Sequence, residues 1–354
     1  MSGAVSMLSS GFSDYGALTG LVGDSEAIQA RLDQLEQQSA TGYIAPTLGG
    51  LGGTAARQVL DLRPQIAHQT QYQANISAAQ GQMSVTQTAL SGISSIASQF
   101  YGDLPNLTDL NPAEVDSVAS QAKQALAQVA SLLDTKDGDT YVFAGQTPDT
   151  APIPNPDAIA SSTFATSIAS AVAGLATNGA AATTAATLAA ASGTSPFDPS
   201  LSSAVPTVQV GADDYVQTGL LANANTLATS SGSSTTGSYT RDVLRSLATL
   251  ASLSSSQVNA PGFSGLISDT QQSLSGAISA LDTEAGSFGA IQSSLSTQST
   301  EIGDVHDALT TQLSNATEVD MASTLTSLTQ TQTQLQASYQ VIAAAKNMTL
   351  ANYL

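Results

Sequence analysis

The sequence predicts a mainly α fold: a long antiparallel helical bundle or coiled coil from the N- and C-terminal segments, with β-hairpins and a small mixed central insertion domain. Three observations predict it. Apolar residues recur every seventh position at Leu274, Leu281, Phe288, Leu295, Ile302 and Leu309, and again at Leu328, Leu335 and Ile342, the period of a helical seam facing another helix. A comparable stripe of Val59, Leu62, Ile66, Ile76, Met83 and Leu90 runs through the N-terminal third. Between Pro148 and Ser238 the chain turns to Ala, Ser, Thr, Gly and Pro, and its clearest pattern alternates with period two. Since neither helical end can bury its stripe alone, the economical arrangement pairs them antiparallel and brings the two termini together.

In order along the chain, Asp24 or Ser25 is placed to cap a first helix with Glu26 in its first turn, Ile28, Leu32 and Leu35 at seam spacing, and Gly42 as its end. Leu8, Phe12, Tyr15 and Val22 precede it in a compatible phase. Gly3, Gly11, Gly16, Gly20 and Gly23 argue against an isolated helix there, so this arm is expected to order only against a partner. After "TGYIAPTLGGLGGTAAR" a long helix is expected from Thr54 to Phe100, its seam interrupted by Gln69, Gln73, Gln80 and Gln87. Polar seam positions give up hydrophobic contact in return for fixed register. "DLPNLTDLNP" breaks the helix at two prolines, and Ala113 to Asp134 restarts it.

"DTKDGDTYVFAG" then switches period. Asp137-Gly138 makes a turn, and Tyr141, Val142 and Phe143 favour a strand. "TVQVGADDYVQTG" reads as a second hairpin turning at Gly211 to Asp214. "RDVLRSLATLASL" resumes the helix, which runs on until its seam slips phase near Ala316 and continues through Met321, Leu328, Leu335 and Ile342. The signal persists to Leu350, Tyr353 and Leu354. Chain ends usually fray, so a stripe reaching this far implies a covering surface.

Composition narrows the function. Eight Lys and Arg stand against 27 Asp and Glu, a net charge of −19. Phosphate backbones and anionic membrane surfaces would repel such a chain, which excludes nucleic acid and membrane as expected partners. No cysteine is present, so there is no disulfide framework, thiolate metal site or cysteine nucleophile. The start "MSGAVSMLSSGFSDYG" lacks the basic and apolar regions of a cleaved export signal. The most apolar stretch, "ASAVAGLATNGAAATTAATLAAA", is too rich in Thr, Asn and Gly to span a bilayer.

Fragments that imitate chemical motifs have simpler readings. "GGLGGTA" precedes a helix like a dinucleotide-binding turn, but no strong strand comes before it and no acidic residue stands at the ribose distance; it reads as a hinge. "DTKDGD" has its Gly at the wrong position for a calcium loop and no terminal Glu. His68 and His306 lie on helices without ligand spacing, and Ser264 in "GFSGL" lacks the second Gly of a nucleophile elbow. No catalytic, cofactor or metal residue is expected.

The terminal "VDMASTLTSLTQTQTQLQASYQVIAAAKNMTLANYL" resembles the C-terminal signature of bacterial flagellins and their hook-associated relatives, with its V-D-M start, L-Q-A-S-Y-Q core and N-Y-L end. "NISAAQGQMSVTQTAL" is similar to the family's first long helix. "DGDTYVFAGQTPDTAPI" and "AARQVLDLRPQI" resemble segments of the family's hook-filament junction members. The likeness spans roughly residues 25–145 and 240–354. The family's usual acidic element before the second helix is replaced by "APTLGGLGGTA", and its N-terminal opening is not recognisable.

The resemblance implies a structural flagellar protein, exported unfolded by the type III apparatus and assembling with sister copies, other hook-associated proteins and flagellin after release from an export chaperone. Its implied layout places 1–42 and 313–354 in a terminal coiled-coil domain, 43–147 and 239–312 in a helical core, and 148–238 in a variable outer domain. The residues expected at the assembly interface are Ile28, Leu32, Leu35, Leu325, Leu328, Leu335, Tyr339, Ile342 and Leu350. A bulk filament subunit, or a flagellin scaffold with a binding central domain, are the competing expectations.

Overall fold

The computed structural model describes the backbone of residues 4–107, 111–193 and 195–351, and side chains within those ranges from residue 19 to residue 344. Its helices are α1 (Ala4–Thr41), α2 (Gly53–Asp103), α3 (Pro112–Leu133), α4 (Thr163–Ala173), α5 (Leu175–Gly193), α6 (Tyr239–Ala251), α7 (Phe263–Thr317) and α8 (Met321–Ala351). Strands β1 (Lys136–Asp137) and β2 (Thr140–Tyr141) form one antiparallel hairpin, and β3 (Thr207–Gln209) and β4 (Tyr215–Gln217) another. The mainly α architecture with two hairpins is the one the sequence predicts.

One expectation is corrected. Helix α1 starts at Ala4, not at a cap near Asp24 or Ser25, and Ser25 is buried within it. Each glycine costs about 1 kcal/mol of helix propensity, but α1 packs along α8, and tertiary packing of a helix face outweighs propensity. The side chains of Leu8, Phe12 and Tyr15 lie outside the described residues. The phase slip expected near Ala316 falls at a helix break: α7 ends at Thr317 and α8 begins at Met321, each with its own phase. Gly42 closes α1 as expected, with φ 76°, a left-handed value that glycine adopts without strain.

The chain divides into two compact units, residues 1–70 with 304–354, and residues 71–303. In the second, α6 is buried along nearly its whole length and packs against α3, α4 and α5. The heptad residues Leu274, Leu281, Phe288, Leu295 and Ile302 of α7 join one hydrophobic core with Ile76, Met83, Leu90 and Ile93 of α2. Gln73, Gln80 and Gln87 sit half-buried in the α2 seam.

The first hairpin is shorter than expected. Val142 and Phe143 leave the ladder after Tyr141 and enter the core, and the next residue, Ala144, bridges Leu221. Gly145 then turns at φ 63°, where an added Cβ would stand 2.6 Å from Leu221 Cδ2 and 2.8 Å from the Ala204 carbonyl oxygen. Only glycine fits both the angle and the gap. The second hairpin pairs Val208 with Val216 as its alternation predicts. Helices α4 and α5, the latter kinked at Gly179, carry no apolar heptad and gave no such signal.

Candidate assembly interface

The unit formed by residues 1–70 and 304–354 is built around the pairing of α1 with α8. On α8 Thr324, Leu328, Thr331, Leu335, Ser338 and Ile342 are covered at an alternating 4,3 spacing that keeps one face toward a partner helix, with Ser327 half-covered beside them. On α1 they are Leu21, Ser25, Ile28, Leu32 and Leu35. Large apolar residues therefore alternate with Thr and Ser across the seam, so Thr324 and Thr331 are buried while the neighbouring leucines are only half-covered. Such a seam is narrow.

Six of the nine expected interface residues, Ile28, Leu32, Leu35, Leu328, Leu335 and Ile342, face this pairing within the chain. Leu325 and Tyr339 do not: they point outward, 48 % and 50 % exposed. Leu350 lies in α8 with its side chain outside the described residues, and Tyr353 and Leu354 are outside them altogether. Sequence reasoning did not select Val22, Tyr43, Leu60, Val305 or Val341, all also exposed here. Among the described residues eleven large hydrophobics are exposed: eight (these five with Met321, Leu325 and Tyr339) belong to this unit, and Tyr101, Tyr215 and Leu227 to the other. Exposed apolar side chains gathered on one unit make it the candidate interaction surface.

The break between α7 and α8 fixes where α8 begins. Asp320 caps it, its Oδ1 accepting from the N–H groups of Ala322 at 2.9 Å and Ser323 at 3.3 Å. Backbone bonds tie the end of α1 to the same point: Val319 N–H donates to the Gly42 carbonyl at 2.9 Å and Ile44 N–H to the Thr317 carbonyl at 2.8 Å, while Gln38 Nε2 donates to the Ile44 carbonyl. Beside this strap lies an open cleft of about 300 Å³ lined by Tyr43, Pro46, Leu48, Leu51, Arg63 and Leu313, among others.

Residues 272–354 match the family model described as the bacterial flagellin C-terminal helical region. Over this stretch the chain is similar to bacterial flagellins. A solved structure described as a flagellar hook-associated protein from Vibrio parahaemolyticus is similar in fold, with TM-score 0.50 and 13 % identity over 75 % of this chain and 98 % of that one. No curated protein matches the chain.

Among the described residues no group of three His, Cys, Asp or Glu could hold a metal ion, and no helix is long and apolar enough to cross a membrane. His306 contacts the neighbouring Asp307 at 3.3 Å on an exposed helix face.

The charged groups that sequence reasoning missed are buried instead in the second unit. Arg245 of α6 is 1 % exposed and bonds Thr187 Oγ1, Ser273 Oγ and the Ser234 carbonyl. Asp242 stands 3.9 Å from it, and Glu284 of α7 accepts from the backbone of Leu227 and Ala228. Burial pushes the carboxyls of Asp242 and Glu284 up and the Arg245 guanidinium down, with hydrogen bonds and the Asp242–Arg245 attraction opposing those shifts. Each has a structural partner. Their only sequence signal was an i, i+3 Asp-Arg pair inside an apolar helix.

Proposed function

We propose that this chain is a structural subunit of the bacterial flagellum that joins hook to filament by helical self-assembly and catalyses nothing. The observation that carries the reading is the outward apolar face of α8, Leu325 and Tyr339, within the segment that matches flagellins. A side chain of that size gains roughly 1.5–3 kcal/mol when fully buried, and repeated in every copy this gain drives association. The α1–α8 pair forms the terminal coiled-coil domain (1–42 with 313–354) at which copies meet. Residues 43–147 and 239–312 form the helical core, and 148–238 faces outward. A heterologous contact of this kind that does not close on itself generates a tube.

The junction assignment rests on the likeness of "DGDTYVFAGQTPDTAPI" to the hairpin of junction members. Its Gly145 turn, which tolerates no side chain, supports a fixed shape for that element. The partners are then sister copies, other hook-associated proteins and flagellin, with an export chaperone before assembly and the flagellum outside the cell as the location. The flagellin description of the matched region favours a second reading as the bulk filament subunit. Immunogold labelling of isolated flagella separates the two. A collar at the base of the filament supports the junction role, label along the whole filament the bulk role, and no label on flagella overturns both.

A further inference from the structure

The irregular segment from Asn225 to Ser238, between β4 and α6, has no ladder or helix of its own and is held by side chains reaching up from beneath it. Glu284 of α7 accepts from Leu227 N–H at 3.0 Å and Ala228 N–H at 2.6 Å. Asp242 accepts from Ser230 Oγ at 2.5 Å and Thr236 N–H at 2.7 Å. Arg245 donates to the Ser234 carbonyl. The segment also lies close on α7, because a Cβ at Gly276 would stand 2.6 Å from the Ser231 carbonyl oxygen. It is a strap laid over three charged groups that are at most 1 % exposed.

The two carboxylates differ in what faces them. Asp242 has the Arg245 guanidinium at 3.9 Å on its own helix, and Arg245 in turn faces Asp269 of α7, which accepts from Thr184 Oγ1 of α5. Glu284 has no cation among the groups that act on it: burial opposes its charge, and hydrogen bonds alone favour it. What faces Glu284 is the Tyr239 hydroxyl from α6 and Thr226 from the strap. Helix α2 carries no charged residue from 72 to 102, and α4 and α5 carry none. Asp282, on α7 itself, contacts Ser94. An unpaired carboxylate sealed from water favours its neutral form, whereas opening the strap lets water solvate the anion.

We propose that the 225–238 strap is a pH-sensitive closure, tightest when Glu284 is protonated and loosening as Glu284 ionises. A neutral carboxyl keeps a carbonyl oxygen for the Ala228 N–H and gains an O–H for which the Tyr239 oxygen is an acceptor. Burial raises the Glu284 pKa in the closed form and outweighs the hydrogen bonds from the Leu227 and Ala228 N–H groups and the Thr226 and Tyr239 hydroxyls that oppose it. The closed form therefore holds the proton more tightly than the open one, so closure is strongest in acid and weakens as pH rises. This device is independent of the flagellar reading.

The test is hydrogen-deuterium exchange at the Leu227 and Ala228 amides of the full chain from pH 5 to 9, corrected for intrinsic exchange. Between the open and closed pKa values of Glu284, protection is expected to fall by up to about tenfold per pH unit. In Glu284→Gln, which keeps the acceptor and the shape but cannot ionise, protection should be independent of pH and at least as high as that of the parent at pH 8. A parent profile independent of pH overturns the proposal. So does a Glu284→Gln strap that opens, or a variant that does not fold, because either means that the anion itself holds the strap.

Discussion

The Ile44 N–H donates to the carbonyl of Thr317 over 2.8 Å, stitching the chain that leaves α1 to the last residue of α7. With the Val319–Gly42 bond beside it, this fixes the register in which α1 and α8 pair. Asp320 sits inside that stitch as the cap of α8. Asp320→Ala should cost about 1 kcal/mol, read as a lower midpoint for melting of the terminal helix pair by circular dichroism, with the core of residues 71–303 unchanged.

The two faces of α8 make opposite expectations. Leu335 faces α1 and is half-covered, so Leu335→Ala should destabilise the terminal pair by about 1–2 kcal/mol, below the 2–5 kcal/mol of a fully buried leucine. Tyr339 is half-exposed on the outer face, so Tyr339→Ser should change monomer stability by no more than about 0.5 kcal/mol and yet suppress self-assembly. Chemical denaturation of the monomer and sedimentation of the assembled form measure the two effects separately.

Asp134 lies at the end of α3, where burial raises its pKa to about 6 and the Ile153 N–H, donating at 2.8 Å, partly offsets the shift. The folded pKa exceeds the unfolded one, so this group's contribution favours folding most below pH ~4 and is lost as pH rises toward 6. Asp134→Asn keeps an acceptor for Ile153 without the charge. It should stabilise the protein above pH 6 by about 1 kcal/mol once solvent screening of this half-buried group is allowed for, and flatten stability between pH 4 and 6. Denaturant midpoints across that range check it.

Gly145→Ala forces a Cβ into the space held by Leu221 and the Ala204 carbonyl, at a φ of 63°. The expected cost exceeds about 2 kcal/mol, read from thermal unfolding. Gly138→Ala is the control, since its φ is also positive but nothing stands within 4 Å; it should cost only about 1 kcal/mol.

Wherever a heptad faces apolar neighbours, the fold was legible in the sequence. Leu274 to Ile302 and Ile76 to Leu90 lie in the core as their spacing requires. Legibility failed where packing overrode local preference. Glycines hid the first half of α1; α4 is short, with Phe164, Ile168 and Val172 as its buried face; and an Ala/Thr-rich composition hid α5. The candidate interface was half-legible for a related reason. Periodicity finds the face turned to any partner helix, and it could not tell the partner within the chain, met by Leu328 and Leu335, from one outside it, offered Leu325 and Tyr339. Beyond the Asp242–Arg245 spacing, the Glu284 and Arg245 network left no signal, because its partners are backbone groups of a strap without periodicity and hydroxyls of distant helices.

The chain contains no cysteine, so Tyr339→Cys places a single reporter thiol on the outer face of α8. Its rate of alkylation, compared between purified monomer and flagella assembled from the same variant, tests most directly whether sister molecules cover that face. Fast labelling of the monomer and slowing of at least about tenfold in the assembly is the expected result. Equal rates in both, or a thiol already protected in the monomer, would contradict it.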